Sequence, residues 1–315
     1  MGLLMSNSKK VVVFGGAGFL GSHVADALTK KGYEVIIFDI HESQFIDEKQ
    51  KMVVGDILDS EQVNEEVRDS QYVYHFAGLA DINEAKLKPV ETITSNVLGT
   101  TNILEACRIN NVERFVFAST IYVYSELGSF YRSSKQACEL IIENYFEEYN
   151  LNYTILRYGS LYGRRANKFN FIRNAVTQAL LDNKIDRKGD GEEVRDYIHV
   201  KDAAKASVEI LINKFINSHI MIKGMQTIKV KELLLMINEI MGNNIKINYS
   251  KKVKYEGHYQ LTPYSFRPRV AEKFLLNTYH DLGQGLLDTI YDVYKELYKN
   301  NPEKLSDLKI ANPKE

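Results

Sequence analysis

Val11-Val12-Val13-Phe14-Gly15-Gly16-Ala17-Gly18-Phe19-Leu20-Gly21-Ser22-His23 decides the fold. A short apolar run is followed by glycines at 15, 18 and 21 and then by a helical pattern. In a dinucleotide-binding turn the first glycine permits the tight turn. The second lets backbone approach a pyrophosphate, and the third lets helix pack closely on strand. The phosphates then lie at a helix N-terminus, here Gly18-Phe19-Leu20, where free N–H groups and the helix dipole favour anions. The next strand pattern, Glu34-Val35-Ile36-Ile37-Phe38-Asp39, closes on a carboxylate. Asp39 can accept hydrogen bonds from ribose hydroxyls and would repel a 2′-phosphate. The residues after it, Ile40-His41-Glu42-Ser43, include no arginine, so the reading is NAD and not NADP.

Outward from this turn, strand patterns at 10–15, 34–39, 51–54, 72–76, 114–119 and 153–157 alternate with helical ones. The helical stretches are 18–31, 60–69, 91–110 and 133–149. Alternation of this kind predicts an α/β fold, a Rossmann-type doubly wound parallel sheet with right-handed crossovers. Ligands of such sheets sit beyond the carboxyl ends of the strands, where Gly15, Asp39, Asp56, Ala77 and Ser119 fall. Past about residue 160 the pattern changes. Helical stretches near 171–181, 202–213, 230–241 and 286–299 accompany a strand at 194–200 and the polar turn Lys188-Gly189-Asp190-Gly191-Glu192-Glu193. The expected division is a cofactor domain over 9–165, rejoined by about 194–215, and a smaller interleaved substrate lobe over 166–315 closing over it, with a frayed tail at 303–315.

With 315 residues, 44% hydrophobic and a net charge of -1, the composition is that of an ordinary globular protein. The balanced charge gives no electrostatic footprint for nucleic acid. No run reaches the length of a membrane span, and the expected location is the cytoplasm. Two cysteines, Cys107 and Cys138, form neither a disulfide framework nor a metal-ligand pattern, and no metal is expected.

Tyr131-Arg132-Ser133-Ser134-Lys135 sets a phenol and an ammonium on one helical face. A nearby cation favours the phenolate. Such a tyrosine can take a proton from a substrate hydroxyl while the nicotinamide takes hydride from the same carbon. Ser119-Thr120, upstream at a predicted strand end, offers hydroxyls to hold the substrate oxygen beside the phenol. Tyr-x-x-x-Lys carries little information by itself in a chain with 20 tyrosines; its position downstream of a hydroxyl-bearing strand end and of the glycine turn makes it specific.

These pieces resemble the extended short-chain dehydrogenase/reductase family, in its NAD-dependent sugar epimerase/dehydratase branch. Matching segments follow in family order: Gly15–Gly21, Gly55-Asp56-Ile57, His75-Phe76-Ala77-Gly78, Asn96–Asn102, Ser119–Tyr124, Tyr131–Lys135, and Gly189-Asp190-Gly191 with Arg195-Asp196-Tyr197-Ile198-His199-Val200. The resemblance implies that Tyr131 is the acid/base, that Lys135 holds the nicotinamide ribose, and that Thr120 binds the sugar hydroxyl being oxidised. Asp56 and Ile57 would contact adenine. Phe76, Ala77, Gly78 and Tyr158 complete the cofactor contacts, and Asn96 ties the active-site backbone together through its amide. Arg195 would meet a nucleotide-sugar diphosphate, a bidentate task suited to guanidinium; the alternative is a pair with Asp190, Glu192 or Glu193. Asp196 and His199 are expected to brace the fold, and His75 to pack at a strand end. Ser160 stands where an asparagine commonly contacts substrate. Arg267 is expected as a second phosphate clamp, with Arg269 as its competitor.

Family 4,6-dehydratases carry an Asp-Glu pair directly after the catalytic threonine, and decarboxylases a glutamate nearby. Here those positions are Ile121 and Tyr122, which disfavours dehydration. The resulting expectation is a nucleotide-sugar C4 epimerase, on a UDP-sugar, with surface polysaccharide or activated-sugar synthesis as its setting. An NAD(P)-dependent reductase or dehydrogenase is the alternative, and a non-catalytic NAD-binding regulator the reading from another class. The loop Ser125-Glu126-Leu127-Gly128-Ser129-Phe130 is much shorter than the usual roof of the sugar pocket. The helices near 91–110 and 133–149 carry Ile93, Val97, Ile103, Leu104, Leu140, Ile141 and Phe146 on more than one face, which suggests a homodimer through a helix pair.

Overall fold

The computed structural model describes residues 9–250, 272–299 and 301. In chain order the elements begin with β1 (Lys10–Phe14), α1 (Phe19–Lys30), β2 (Glu34–Asp39), β3 (Gln50–Val54), α2 (Ser60–Val67) and β4 (Tyr72–His75). Then come α3 (Ile82–Leu87), α4 (Pro89–Ile93), α5 (Gly99–Ile109), β5 (Arg114–Thr120), α6 (Ser129–Tyr149) and β6 (Tyr153–Tyr158). They continue with β7 (Ser160–Tyr162), α7 (Phe171–Asp182), β8 (Lys184–Lys188), β9 (Val194–His199), α8 (Val200–Glu209) and β10 (Ser218–Ile222). Last are β11 (Thr227–Lys229), α9 (Val230–Ile240), β12 (Lys246–Ser250), β13 (Glu272–Lys273) and α10 (Leu282–Leu297). None of the helices among the described residues is long and apolar enough to cross a membrane.

The chain divides into two compact units. Of the described residues, the first holds 9–158, 204–222 and β13; the second holds 159–203, 223–250 and 275–299. The first unit is an eight-stranded sheet in the order β13-β10-β6-β5-β4-β1-β2-β3, parallel at every pairing. β1 lies between β2 and β4, so the strand order reverses there, and such a reversal opens a crevice at the carboxyl edge. Strands covered on both faces read as continuous apolar runs, and Val11–Phe14 is fully buried. Phe14, Phe38, Phe115 and Phe117 meet Ile103, Leu104 and Ile142 of the flanking helices in one core.

In the second unit β9 pairs with β7 in parallel and with β11 antiparallel, while β8 and β12 pair in parallel. α7, α9 and α10 bury Ile172, Val176, Leu233, Leu234, Leu286 and Ile290 together.

Four expectations change. The segment that rejoins the first unit is 204–222, not 194–215, because β9 is held by its pairing to β7 and β11. The stretch read as one helix over 91–110 is α4 and α5 separated by a π-helical turn, Thr94–Leu98. α6 starts at Ser129, not Ser133, which puts Tyr131 in its first turn. Ile103 and Leu104, read as part of a second apolar face, point into the core, whereas Leu140 is 63% exposed. The tail at 303–315 lies outside the described residues.

Ile103→Ala should cost about 2–5 kcal/mol, because the methyl groups removed leave a cavity under the sheet. Denaturant unfolding checks this; a loss below about 1 kcal/mol would remove Ile103 from the core.

Candidate active site

The turn after β1 is shaped by close approach. Gly15 has φ +75°, and a Cβ there would strike the Phe76–Ala77 backbone. A Cβ on Gly21 would strike the Gly15 carbonyl. The turn is pinned by Gly15 N–H to the Phe38 carbonyl at 2.8 Å and Gly18 N–H to the Gly15 carbonyl at 3.2 Å. α1 opens on Gly18 with no side-chain cap and no acidic residue in its first turn. The first-turn N–H groups, those of Phe19 and Leu20 included, are thus left for an outside anion. Asp39 ends β2 beside this turn. Its Oδ2 accepts from the Ala17 N–H at 3.0 Å and its Oδ1 from the His41 N–H at 3.2 Å. Past β3, exposed Asp56 turns the chain by accepting from the Leu58 N–H at 2.9 Å. The Ile57 side chain is buried, facing Gly99, so only its backbone is available to a base. A backbone cradle with no room for Cβ atoms, an uncapped helix start and a carboxylate at the second strand end together fit a dinucleotide such as NAD.

Thr120 is the last residue of β5. Its Oγ1 accepts from the Tyr122 N–H at 3.2 Å and is hydrogen-bonded to the Tyr131 hydroxyl. Burial pushes the Tyr131 phenol up to about 12, with the Thr120 hydrogen bond acting against it, so the protein alone keeps this phenol neutral at neutral pH. Lys135, one turn on, donates to the Ala118 carbonyl at 2.8 Å and lies 4.5 Å over the Phe117 ring. Burial lowers its pKa, with Cys138 and Glu139 acting in the other direction. Asn96 stands inside the π-helical turn. It accepts from the Leu79 N–H at 2.7 Å and donates to the Leu79 carbonyl at 3.0 Å and to Ser134 Oγ at 2.9 Å. One amide therefore joins the loop after β4, which holds Phe76, Ala77 and Gly78, to α6 between Tyr131 and Lys135.

Not every expected residue faces this site. Ser119 is turned away: its hydroxyl bonds Glu139 Oε1 at 2.5 Å. Adjacent strand residues point to opposite faces, so only one of the two hydroxyls can meet the phenol. Tyr158 is buried, with its hydroxyl 2.5 Å from Ser207 Oγ, which leaves only its backbone for a cofactor. Ser160 and Arg195 belong to the second unit. There Ser160 opens β7 opposite Tyr197. Buried Arg195 donates to the Val194 carbonyl at 2.9 Å, while Glu193 pairs with Arg187, and Glu192 with Lys229 and Lys231. Asp196 braces the unit through Lys223 at 3.0 Å and Thr227 at 2.7 Å. Arg267 and Arg269 lie outside the described residues. The charges missed from sequence are Glu139 and Arg157; an acid four residues after Lys135 on the same buried helix face was the available signal.

The NAD dependent epimerase/dehydratase family matches residues 11–222. A putative UDP-glucose 4-epimerase of Methanocaldococcus jannaschii is 32% identical over 265 residues, covering 76% of this chain and 85% of that protein. A UDP-N-acetyl-alpha-D-glucosaminuronate decarboxylase of Bacillus cytotoxicus is 28% identical over 322 residues, covering 90% and 97%. The solved UDP-glucose 4-epimerase of Thermotoga maritima, with UDP-glucose, superposes with a TM-score of 0.79 at 25% identity, over 91% of this chain and 99% of that one. The chain belongs to the NAD dependent epimerase/dehydratase family, and it is an enzyme whose cofactor is NAD.

Proposed function

We propose that the protein is a nucleotide-sugar C4 epimerase. The carrying observation is the Thr120–Tyr131 hydrogen bond beside buried Lys135, with no carboxylate next to it: Ile121 is buried, and the ring of Tyr122 meets that of Tyr131 edge-on at 6.4 Å. Elimination of a hydroxyl needs an acid to protonate the leaving oxygen, and neither position offers the carboxylic acid that serves there in the dehydratases. The relatives named as UDP-glucose 4-epimerases support the reading and point to a UDP-sugar. The same site, with a cofactor that exchanges, would serve a ketosugar reductase.

Bound NAD supplies reversible hydride acceptance. Gly15, Gly18 and Gly21 with the N–H groups of Phe19 and Leu20 would hold its pyrophosphate, Asp39 its adenosine ribose, Asp56 and the Ile57 backbone its base, and Lys135 its nicotinamide ribose. Thr120 holds the C4 oxygen against the phenol. Tyr131 takes the C4 hydroxyl proton as the carbon is oxidised, and returns it when the ketone is reduced from the other face. Lys135 supplies positive charge that favours the phenolate, offsetting burial. Asn96 keeps the loop beneath the nicotinamide and the catalytic helix at a fixed spacing. Ser160 and Arg195 would contact the sugar and the diphosphate, and Arg267 is retained as a second phosphate clamp.

We further infer a homodimer. α3, α4 and α6 pack on one another and leave Leu87 81%, Val90 77% and Leu140 63% exposed, apolar side chains that a second copy would cover.

Purified protein should interconvert one C4 pair in a panel of UDP-, dTDP-, GDP- and CDP-sugars, with products read by NMR and no net change in nicotinamide absorbance. A stoichiometric absorbance change would replace the epimerase by the reductase. Tyr131→Phe should lower kcat at least about a thousandfold with NAD still bound, a loss in the range of general acid–base catalysis; a variant keeping most of its turnover would sink the mechanism. Asp39→Ala should weaken NAD about tenfold and narrow its preference over NADP, as calorimetry with both cofactors would read; an unchanged preference refutes the assignment. Leu140→Glu should shift sedimentation toward monomer with little change in melting temperature.

A further inference from the structure

Behind the catalytic residues lies a second set of buried polar groups. Ser119, Glu139, Glu143, Arg157 and His219 are each at most 9% exposed. Arg157 grips Glu139 with two parallel hydrogen bonds, Nε to Oε1 at 3.0 Å and a terminal nitrogen to Oε2 at 2.6 Å. The same guanidinium donates to the Tyr124 hydroxyl and lies 4.7 Å over that ring. Its contact with His219 Nδ1 is 2.8 Å, and because guanidinium only donates, that nitrogen is the acceptor. His219 Nε2 is 2.9 Å from Glu143 Oε1.

Two features tie this set to the chemistry. Ser119 and Tyr124 bracket the segment that carries Thr120, and both are held by the Glu139–Arg157 pair. Glu139 also lies one helical turn beyond Lys135 and adds negative charge next to it. A buried ion pair needed only for folding can be replaced by apolar side chains of similar volume at little cost. One that orients other groups cannot be replaced without loss of function.

We propose that Glu139, held by Arg157, is a positioning residue for the Thr120–Tyr131–Lys135 site: it fixes the end of β5 through Ser119, next to the Ala118 carbonyl that Lys135 bonds. The proposal rests on the roles given above to Tyr131 and Lys135.

The test is the double variant Glu139→Met with Arg157→Met, prepared with NAD bound. Its melting temperature should stay within a few degrees of the parent. Its NAD dissociation constant should rise about tenfold, matching Lys135→Met measured alongside, the loss of roughly one charged hydrogen bond. With a turned-over sugar nucleotide, kcat should fall at least about tenfold and KM should stay within about twofold. Parent-like NAD affinity and kcat in the folded double variant would overturn the proposal and leave the pair a structural one. Should that variant not fold, Glu139→Gln, which keeps the volume and an acceptor for Arg157, is read in the same way. Absence of turnover in the parent counts against the epimerase reading alone; the NAD measurement still decides the role of Glu139.

Discussion

The first unit depends on one steric constraint, the passage of the Gly15 backbone against that of Phe76 and Ala77 with no side chain between them. β1 and β4 are neighbours, and the connections leave them on opposite sides of the strand order. The crevice at their ends is where a dinucleotide fits, and its floor is the glycine turn. Each further part is referred to that turn. Gly21 lets α1 lean on it, Asp39 bonds the Ala17 N–H within it, and the loop after β4 that presses on it is carried to α6 by Asn96. A shift of Gly15 would thus reach Tyr131 through backbone, the Asn96 amide and the Ser134 hydroxyl, which donates to the Tyr131 carbonyl at 2.8 Å.

The phenol proposed for proton transfer is kept in check by its surroundings. Burial holds the Tyr131 phenol up near 12, and Lys135, whose ammonium is itself disfavoured by burial, does not reverse that in the protein alone. A phenol in this state stays protonated at neutral pH. It becomes basic only when positive charge and a hydroxyl arrive together, which ties proton transfer to a filled site.

The cofactor half of this architecture was legible because its signals are local. Three glycines, an apolar run and the carboxylate Asp39 lie within one strand–helix–strand unit, and each has a backbone reason visible in residue type alone. The placement of Tyr131 and Lys135 on one helix was legible by spacing. The direction of Ser119 was not, since a strand pattern shows that neighbours diverge but not which one faces the site. Nor was the π-helical turn at Asn96: Thr94–Leu98 falls inside a continuous helical pattern, and the extra residue is accommodated by contacts to Leu79 and Ser134 that are far away in sequence. Arg157 and His219 sit inside apolar strands, where their charge and polarity argued against burial until Glu139 and Glu143 are seen opposite them.

The connection between Tyr124 and α6 is already tied to itself. The Ser125 N–H bonds the Tyr122 carbonyl at 2.8 Å, the Leu127 N–H bonds Ser125 Oγ at 2.9 Å, and Arg132 reaches back to the Ser125 carbonyl at 2.9 Å. A long roof would have to be immobilised each time a ligand entered, and every residue frozen costs about 1–2 kcal/mol of backbone entropy. Here that cost was met during folding. A ligand bound at this edge, as proposed, would meet a segment that is already ordered, so its affinity there would not be diminished by loop ordering.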